Sequence, residues 1–250
     1  MSGVFTRSEL VVAGFFNTLS MNIIRIGDDF FRFIETMQAD GTRKTLMTGI
    51  KRQTILDDYG KEYLKSLPKY DAFVNIPDNY GDVKVPGRLF NMYTSLDHQL
   101  RRGQWKWTEV LLRHVFGDQY NLGLDYIQLI YDKPLQTLPV LCLVSRENQT
   151  GKTTFLNWLR MIFRENMVVI GNQELSNQFN FVYGHKLIIA IEESRIERSS
   201  AQEKIKAMAT QKTVLLNEKF QRSHEVDYFG KLILVSNHED SFISANKEDI

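Results

Sequence analysis

Four consecutive residues, Gly151-Lys152-Thr153-Thr154, have the types needed to hold a polyphosphate. A glycine lets the backbone come close to an anion, and the orphan N–H groups at a helix start point at phosphate oxygens. Lys152 brings charge to the outer phosphates, and the Thr153 hydroxyl is a ligand for magnesium. Ser145 and Thr150 belong to the same candidate nucleotide-binding loop. The full pattern G-x-x-x-x-G-K-[ST] has a glycine five positions before Gly151, where this sequence has Arg146. Downstream, Glu192 and Glu193 end the apolar run Lys186–Ile191. In such a pair one carboxylate, Glu192, holds magnesium through water and the other, Glu193, polarises the attacking water as a base. Asn237 closes another apolar run, where an amide can sense a γ-phosphate or position water. The implied ligand is a magnesium-bound polyphosphate.

A threonine capping a helix or two glutamates ending a strand is ordinary without any ligand. The chemical reading gains weight from the elements that carry them. Val140–Val144 is an apolar run. Phe155, Leu156, Leu159, Ile162 and Phe163 recur at helical spacing, so strand, loop and helix are predicted in that order around the glycine. Met167–Ile170, bounded by Gly171, reads as a short buried strand, Lys186–Glu193 as a stronger one, Ala201–Ala209 as a helix and Leu232–Val235 as a further strand. Thr213–Leu216 and Val226–Phe229 flank the polar turn Asn217–Glu225, a hairpin carrying Lys219, Arg222 and His224. The predicted fold class is α/β, a parallel-sheet core behind a mostly helical α+β N-terminal region. All five prolines lie at or before Pro139, which suits a regular core after it.

The chain of 250 residues, 43% hydrophobic with a net charge of +1, has room for a sizeable core and advertises no polyanion partner by bulk charge. Cys142 is the only cysteine, which excludes an internal disulfide and fits a cytosolic setting; in its apolar run it reads as a small buried hydrophobe. The five histidines are scattered and offer no zinc spacing. No leader and no membrane-length apolar run is present, so no membrane partner is expected.

Three regions are expected: 1–75, a small α+β unit of unknown role; 76–137, largely helical; and 138–250, the core. In the first, Ser8–Leu19 is a candidate helix, Asn22–Ile34 a hairpin about Gly27-Asp28-Asp29, and Lys51–Ser66 a helix. Tyr70–Gly103 is loop-rich, and Trp105–Phe116 and Tyr120–Tyr131 are helices. Arg101, Arg102, Lys106 and Arg113 interleaved with Trp105 and Trp107 would suit a nucleic-acid surface, but anchoring of helix packing is the preferred role for these tryptophans.

The order GKTT, KLIIAIEES, basic hairpin and KLILVSNHED resembles motifs A, B, B′ and C of superfamily 3 helicases, AAA+-type P-loop ATPases of DNA viruses, phages and plasmids. The helicase half of phage and mobile-element primase-helicases is most similar, over about Phe90–Asp240. The resemblance implies ATP-driven translocation on single-stranded DNA as a hexameric ring during replication, in the cytoplasm of a bacterial or phage-infected cell. It assigns ATP and magnesium to Lys152 and Thr153, the Walker B pair to Glu192 and Glu193, and the sensor to Asn237. Lys219, with Arg222 and His224 near it, would contact DNA in the ring channel, and region 76–137 would serve as an assembly collar. In the family a further strand and an arginine finger follow motif C. Neither is found before Ile250, so the sequence is expected to be truncated relative to the family, with the strand before GKTT at a sheet edge. A nucleotide- or DNA-binding module without hydrolysis is the alternative. A small-molecule P-loop kinase fits less well, because no arginine-rich lid follows the third strand.

Overall fold

The computed structural model describes residues 22–37, 43–81, 84–85, 87–96, 98, 100–147, 149–192, 199–217 and 222–237. The helix expected over Ser8–Leu19, and the candidate residues Glu193 and Lys219, lie outside the described residues.

The chain begins with β1 (Ile23–Ile26), β2 (Asp29–Met37) and β3 (Arg43–Gly49), followed by α1 (Arg52–Ser66) and β4 (Lys69–Tyr70). β1 and β2 form the expected hairpin. Ile26 pairs with Asp29 across Gly27-Asp28, a two-residue turn that Gly27 permits at φ +58°. The sheet order is β3-β2-β1-β4. Period-two alternation divides its apolar residues between two faces. Ile23 and Phe30 pack with Ile55 of α1 and with Leu67, while Ile24, Ile26, Phe31 and Phe33 face a second cluster. Among the described residues the first region thus combines a four-stranded sheet with one helix. Charged and threonine positions on β3 had hidden its strand character.

β5 (Ala72–Val74) and β6 (Leu89–Asn91) pair in parallel within the loop-rich stretch. Buried asparagines give that stretch the backbone partners that regular structure would otherwise supply. Asn91 Oδ1 accepts from the N–H of Ile76 and of Tyr93, and Asn79 Nδ2 donates to the carbonyl of Tyr131 at 2.6 Å. Asn166 accepts from Thr94 N at 3.1 Å and donates to Thr94 O at 2.6 Å. Asn166→Ala removes both bonds from a residue only 3% exposed. Its expected cost is about 3 kcal/mol in urea unfolding, from two lost bonds and two buried groups left unpaired.

α2 (Lys106–Phe116) and α3 (Tyr120–Asp132) come next, as expected, joined by a single 3-10 turn. α2 turns Leu112 inward and leaves Trp105 at 47% and Trp107 at 79% exposure. The tryptophans therefore do not anchor the packing, and that expectation is corrected. The Lys106 ammonium lies 5.7 Å from the Trp107 ring instead.

The core sheet contains β7 (Leu141–Val144), β8 (Met167–Ile170), β9 (Ile188–Ile191) and β12 (Lys231–Ser236), all parallel and ordered β7-β12-β9-β8. Every residue of β9 and β12 is buried, as continuous apolar runs in a parallel sheet require. Alternate residues serve opposite faces. Ile188, Ala190, Ile233 and Val235 pack with α2, α3 and α4 (Lys152–Phe163), while Ile189, Ile191, Leu232 and Leu234 pack with α5 (Asn172–Ser176) and α6 (Ser199–Thr210). The result is a mixed α/β protein with a three-layered parallel core. β7 is one of the two edge strands, and Cys142 on it is exposed, contrary to the buried role expected for it.

β10 (Thr213–Leu216) and β11 (His224–Asp227) form the expected hairpin. Leu216 and Val226 join Ile24, Phe31, Phe33, Phe73 and Phe90 in one cluster, so the hairpin is packed against the N-terminal sheet.

Candidate functional site

The carboxyl ends of the parallel strands bring most of the singled-out residues to one side of the sheet. β7 runs through Ser145–Gly151 into α4, whose N-cap Gly151 sits at φ +80°, where a side chain would be strained. The helix's first bond is Phe155 N to Gly151 O at 2.9 Å, so the N–H groups of Lys152, Thr153 and Thr154 have no partner within the helix. No side chain caps this end.

The Lys152 ammonium folds back over the loop. It donates to Ser145 Oγ, to Thr150 Oγ1 at 3.1 Å and to Glu147 O at 3.5 Å. Ser145 and Thr150 are themselves linked, Oγ to Oγ1, at 3.0 Å. Partial burial pulls the Lys152 pKa below that of a free lysine. The loop thus holds a slightly desolvated cation against neutral acceptors, an arrangement that an anion would improve.

Glu192 follows β9 directly, and its N–H donates to Ile170 O at 3.1 Å, which fixes the backbone at the strand end. The Thr153 hydroxyl donates to Glu192 Oε1 at 3.4 Å, joining two residues 39 positions apart. Neighbouring oxygens around an octahedral magnesium lie about 3 Å apart, so the pair matches two positions of one ion or its water shell. Ser145 N donates to Ser236 O at 3.2 Å, and Asn237 follows Ser236, so the chain at Asn237 leaves the sheet beside the start of the loop. The donor set, the cation and the hydroxyl–carboxylate pair fit a magnesium-bound polyphosphate.

Arg222 and His224 stand apart from this group. Arg222 Nη1 is 3.3 Å from Asp28 Oδ2 on the β1–β2 turn. His224 lies among aromatic rings, 4.8 Å from Phe73 and 6.4 Å from Phe31, with Nε2 3.6 Å from Asp29. Burial lowers its pKa, partly offset by Asp29. One contributor escaped the sequence reading. The end of α2 leans on Gly151, where an added Cβ would meet His114 Cδ2 at 3.4 Å and Leu111 and Val115 at 3.8 Å. No local pattern announces that contact, which depends on how α2 crosses α4.

Residues 143–249, which include the loop, both strand-end glutamates and Asn237, match a family of unknown function (DUF5906). No curated protein matches the sequence. Among solved structures, the chain is similar to an apo structure of the C-terminal region of NrS-1, at TM-score 0.64 and 18% identity over 86% of this chain and 56% of that one. Two further apo structures of that region match at TM-scores of 0.64 and 0.62, both at 19% identity. At such identity the likeness is one of fold, and the chain spans little more than half the length of those structures. No helix among the described residues is long and apolar enough to cross a membrane.

Proposed function

We propose that the chain is the ATPase core of a P-loop replication helicase of superfamily 3 type, coupling hydrolysis of magnesium-bound ATP to movement on single-stranded DNA within a hexameric ring. The observation that carries this reading is the 3.4 Å approach of Thr153 and Glu192 beside an uncapped helix start. The β7-β12-β9-β8 order supports it, since the AAA+ pattern expects the strand before GKTT next to the motif C strand and at the edge here.

In this reading the free N–H groups of α4 and the Lys152 ammonium bind the phosphates, and Thr153 and Glu192 hold magnesium. Held by those two residues, magnesium would supply neutralisation of the phosphate charge. Glu193 polarises the attacking water, and Asn237 registers the γ-phosphate.

The test is magnesium–ATP binding and steady-state turnover, with and without single-stranded DNA, for the native chain and Glu193→Gln. DNA-stimulated turnover that falls about a hundredfold or more in Glu193→Gln, with binding retained, is expected for loss of a general base. A second reading, nucleotide binding without hydrolysis, draws on Arg146 at the first glycine position and on Lys152 being held by its own loop. Tight binding with no turnover supports that reading; no binding overturns both.

A further inference from the structure

The tip of the β1–β2 hairpin carries a second concentration of charge, on the opposite part of the chain from the GKTT loop. A cleft of about 330 Å³ opens there, lined by Arg25, Asp28, Lys69, Tyr70, Asp71 and Arg88. Backbone pairing builds it. β1 and β4 run parallel with Arg25 opposite Lys69, and Asp71 N donates to Arg88 O at 2.7 Å.

Two of the cations are aimed by their neighbours. Arg88 donates to Asp71 through Nη2 at 2.5 Å and Nε at 3.3 Å. Arg25 donates from Nε to Gly27 O at 2.6 Å and from Nη2 to Asp28 at 3.4 Å. A guanidinium has five N–H donors, so each arginine is positioned and still has donors to spare. Lys69 is exposed and meets no carboxylate among the described residues. Arg222 reaches Asp28 from the β10–β11 hairpin. The lining thus carries three cations, Arg25, Lys69 and Arg88, against two carboxylates, Asp28 and Asp71, which leaves a surplus of one positive charge in the cleft.

We propose that this cleft binds the sugar–phosphate backbone of single-stranded DNA and continues that track onto the β10–β11 hairpin through Arg222. The cations are spread over an open surface rather than gathered in a closed pocket, which suits an extended polyanion better than a small free phosphate. The cleft offers charge and fixed donors, so binding is independent of sequence and steeply dependent on salt. Leu216 and Val226 of the hairpin share a core cluster with Ile24, Phe31 and Phe33, so the hairpin is packed on the N-terminal sheet that carries the cleft. The inference rests on the single-stranded DNA part of the proposed function.

The test uses the full chain without nucleotide and a fluorescent oligothymidylate, read by anisotropy across a salt series. Lys69→Glu is expected to weaken binding at least tenfold with an unchanged melting temperature. Lys69→Gln is expected to lower the slope of log affinity against log salt by about one. Inorganic pyrophosphate should compete no better than sodium chloride of equal ionic strength. Lys69→Glu binding within twofold of the native chain overturns the cleft while leaving the DNA reading intact. Specific competition by pyrophosphate makes it a small-anion site and overturns the proposal. No binding by the native chain defeats the DNA reading and the cleft together, and leaves the nucleotide site to be judged by its own titration.

Discussion

Lys152→Ala is expected to weaken magnesium–ATP binding about a hundredfold, roughly 3 kcal/mol, with the melting temperature unchanged. The ammonium has already lost part of its hydration in the loop, which is why its pKa lies below that of a free lysine. Its present acceptors, Ser145 Oγ, Thr150 Oγ1 and the Glu147 carbonyl, are all neutral. Exchanging them for phosphate oxygens replaces neutral acceptors with charged ones, which adds the attraction of opposite charges to each bond. Alanine removes that gain and leaves the N–H groups of α4, which alone hold an anion weakly. The loss should fall on binding rather than folding, because every Lys152 contact lies within the loop itself. Isothermal titration with magnesium–ATP checks this. A variant affinity within threefold of the native value would remove the loop from nucleotide recognition.

The core was legible because its strands are continuous apolar runs with abrupt polar ends. Val140–Val144, Met167–Ile170, Lys186–Glu193 and Leu232–Val235 were each found as strands, within two residues at either end. Their polar ends gave the residues that the fold gathers at one side, with Thr153 and Glu192 in contact. The β10–β11 hairpin was legible too, but its second strand lies at His224–Asp227 rather than Val226–Phe229. His224 and Val226 turn inward, and an inward histidine packed on Phe31 and Phe73 disguises the alternation. What escaped depends on contacts distant in sequence. Asn79 satisfies Tyr131 and Asn166 satisfies Thr94, and nothing local marks an asparagine as a staple. Cys142 and Trp107 were misread for a related reason: composition gives the apolar character of an element but not which of its faces has a neighbour. The cleft at Arg25, Lys69 and Arg88 was invisible because three segments distant in sequence assemble it.

A second large effect is expected at Lys231, which opens β12 at the end remote from Asn237. The residue is 2% exposed, and its ammonium donates to Pro134 O and to Phe229 O, the latter at 2.7 Å. Burial lowers its pKa from 10.5 to about 8. Between those values the unfolded chain binds more protons than the folded one, so this group makes stability rise with pH across that window. Below about pH 8 the folded state keeps a charge out of water, a penalty of about 3 kcal/mol that fades as pH approaches 10.5. Lys231→Met keeps the length of the side chain, removes the titration and leaves two carbonyls without a donor. Near pH 7 the relief of the buried charge and the lost bonds should nearly cancel. By pH 10 the native chain has shed most of its penalty and the variant has gained nothing. The stability difference in urea unfolding should therefore move against the variant by about 2.5 kcal/mol from pH 7 to pH 10. Tyrosines that titrate at high pH are common to both chains and drop out of the difference. Parallel stability curves for the two chains would mean that Lys231 is hydrated in the folded state. Since Lys231 and Asn237 lie at opposite ends of the strand, ATP affinity at pH 7 should be the same in both chains. That separates a charge buried beneath the sheet from the chemistry proposed above it.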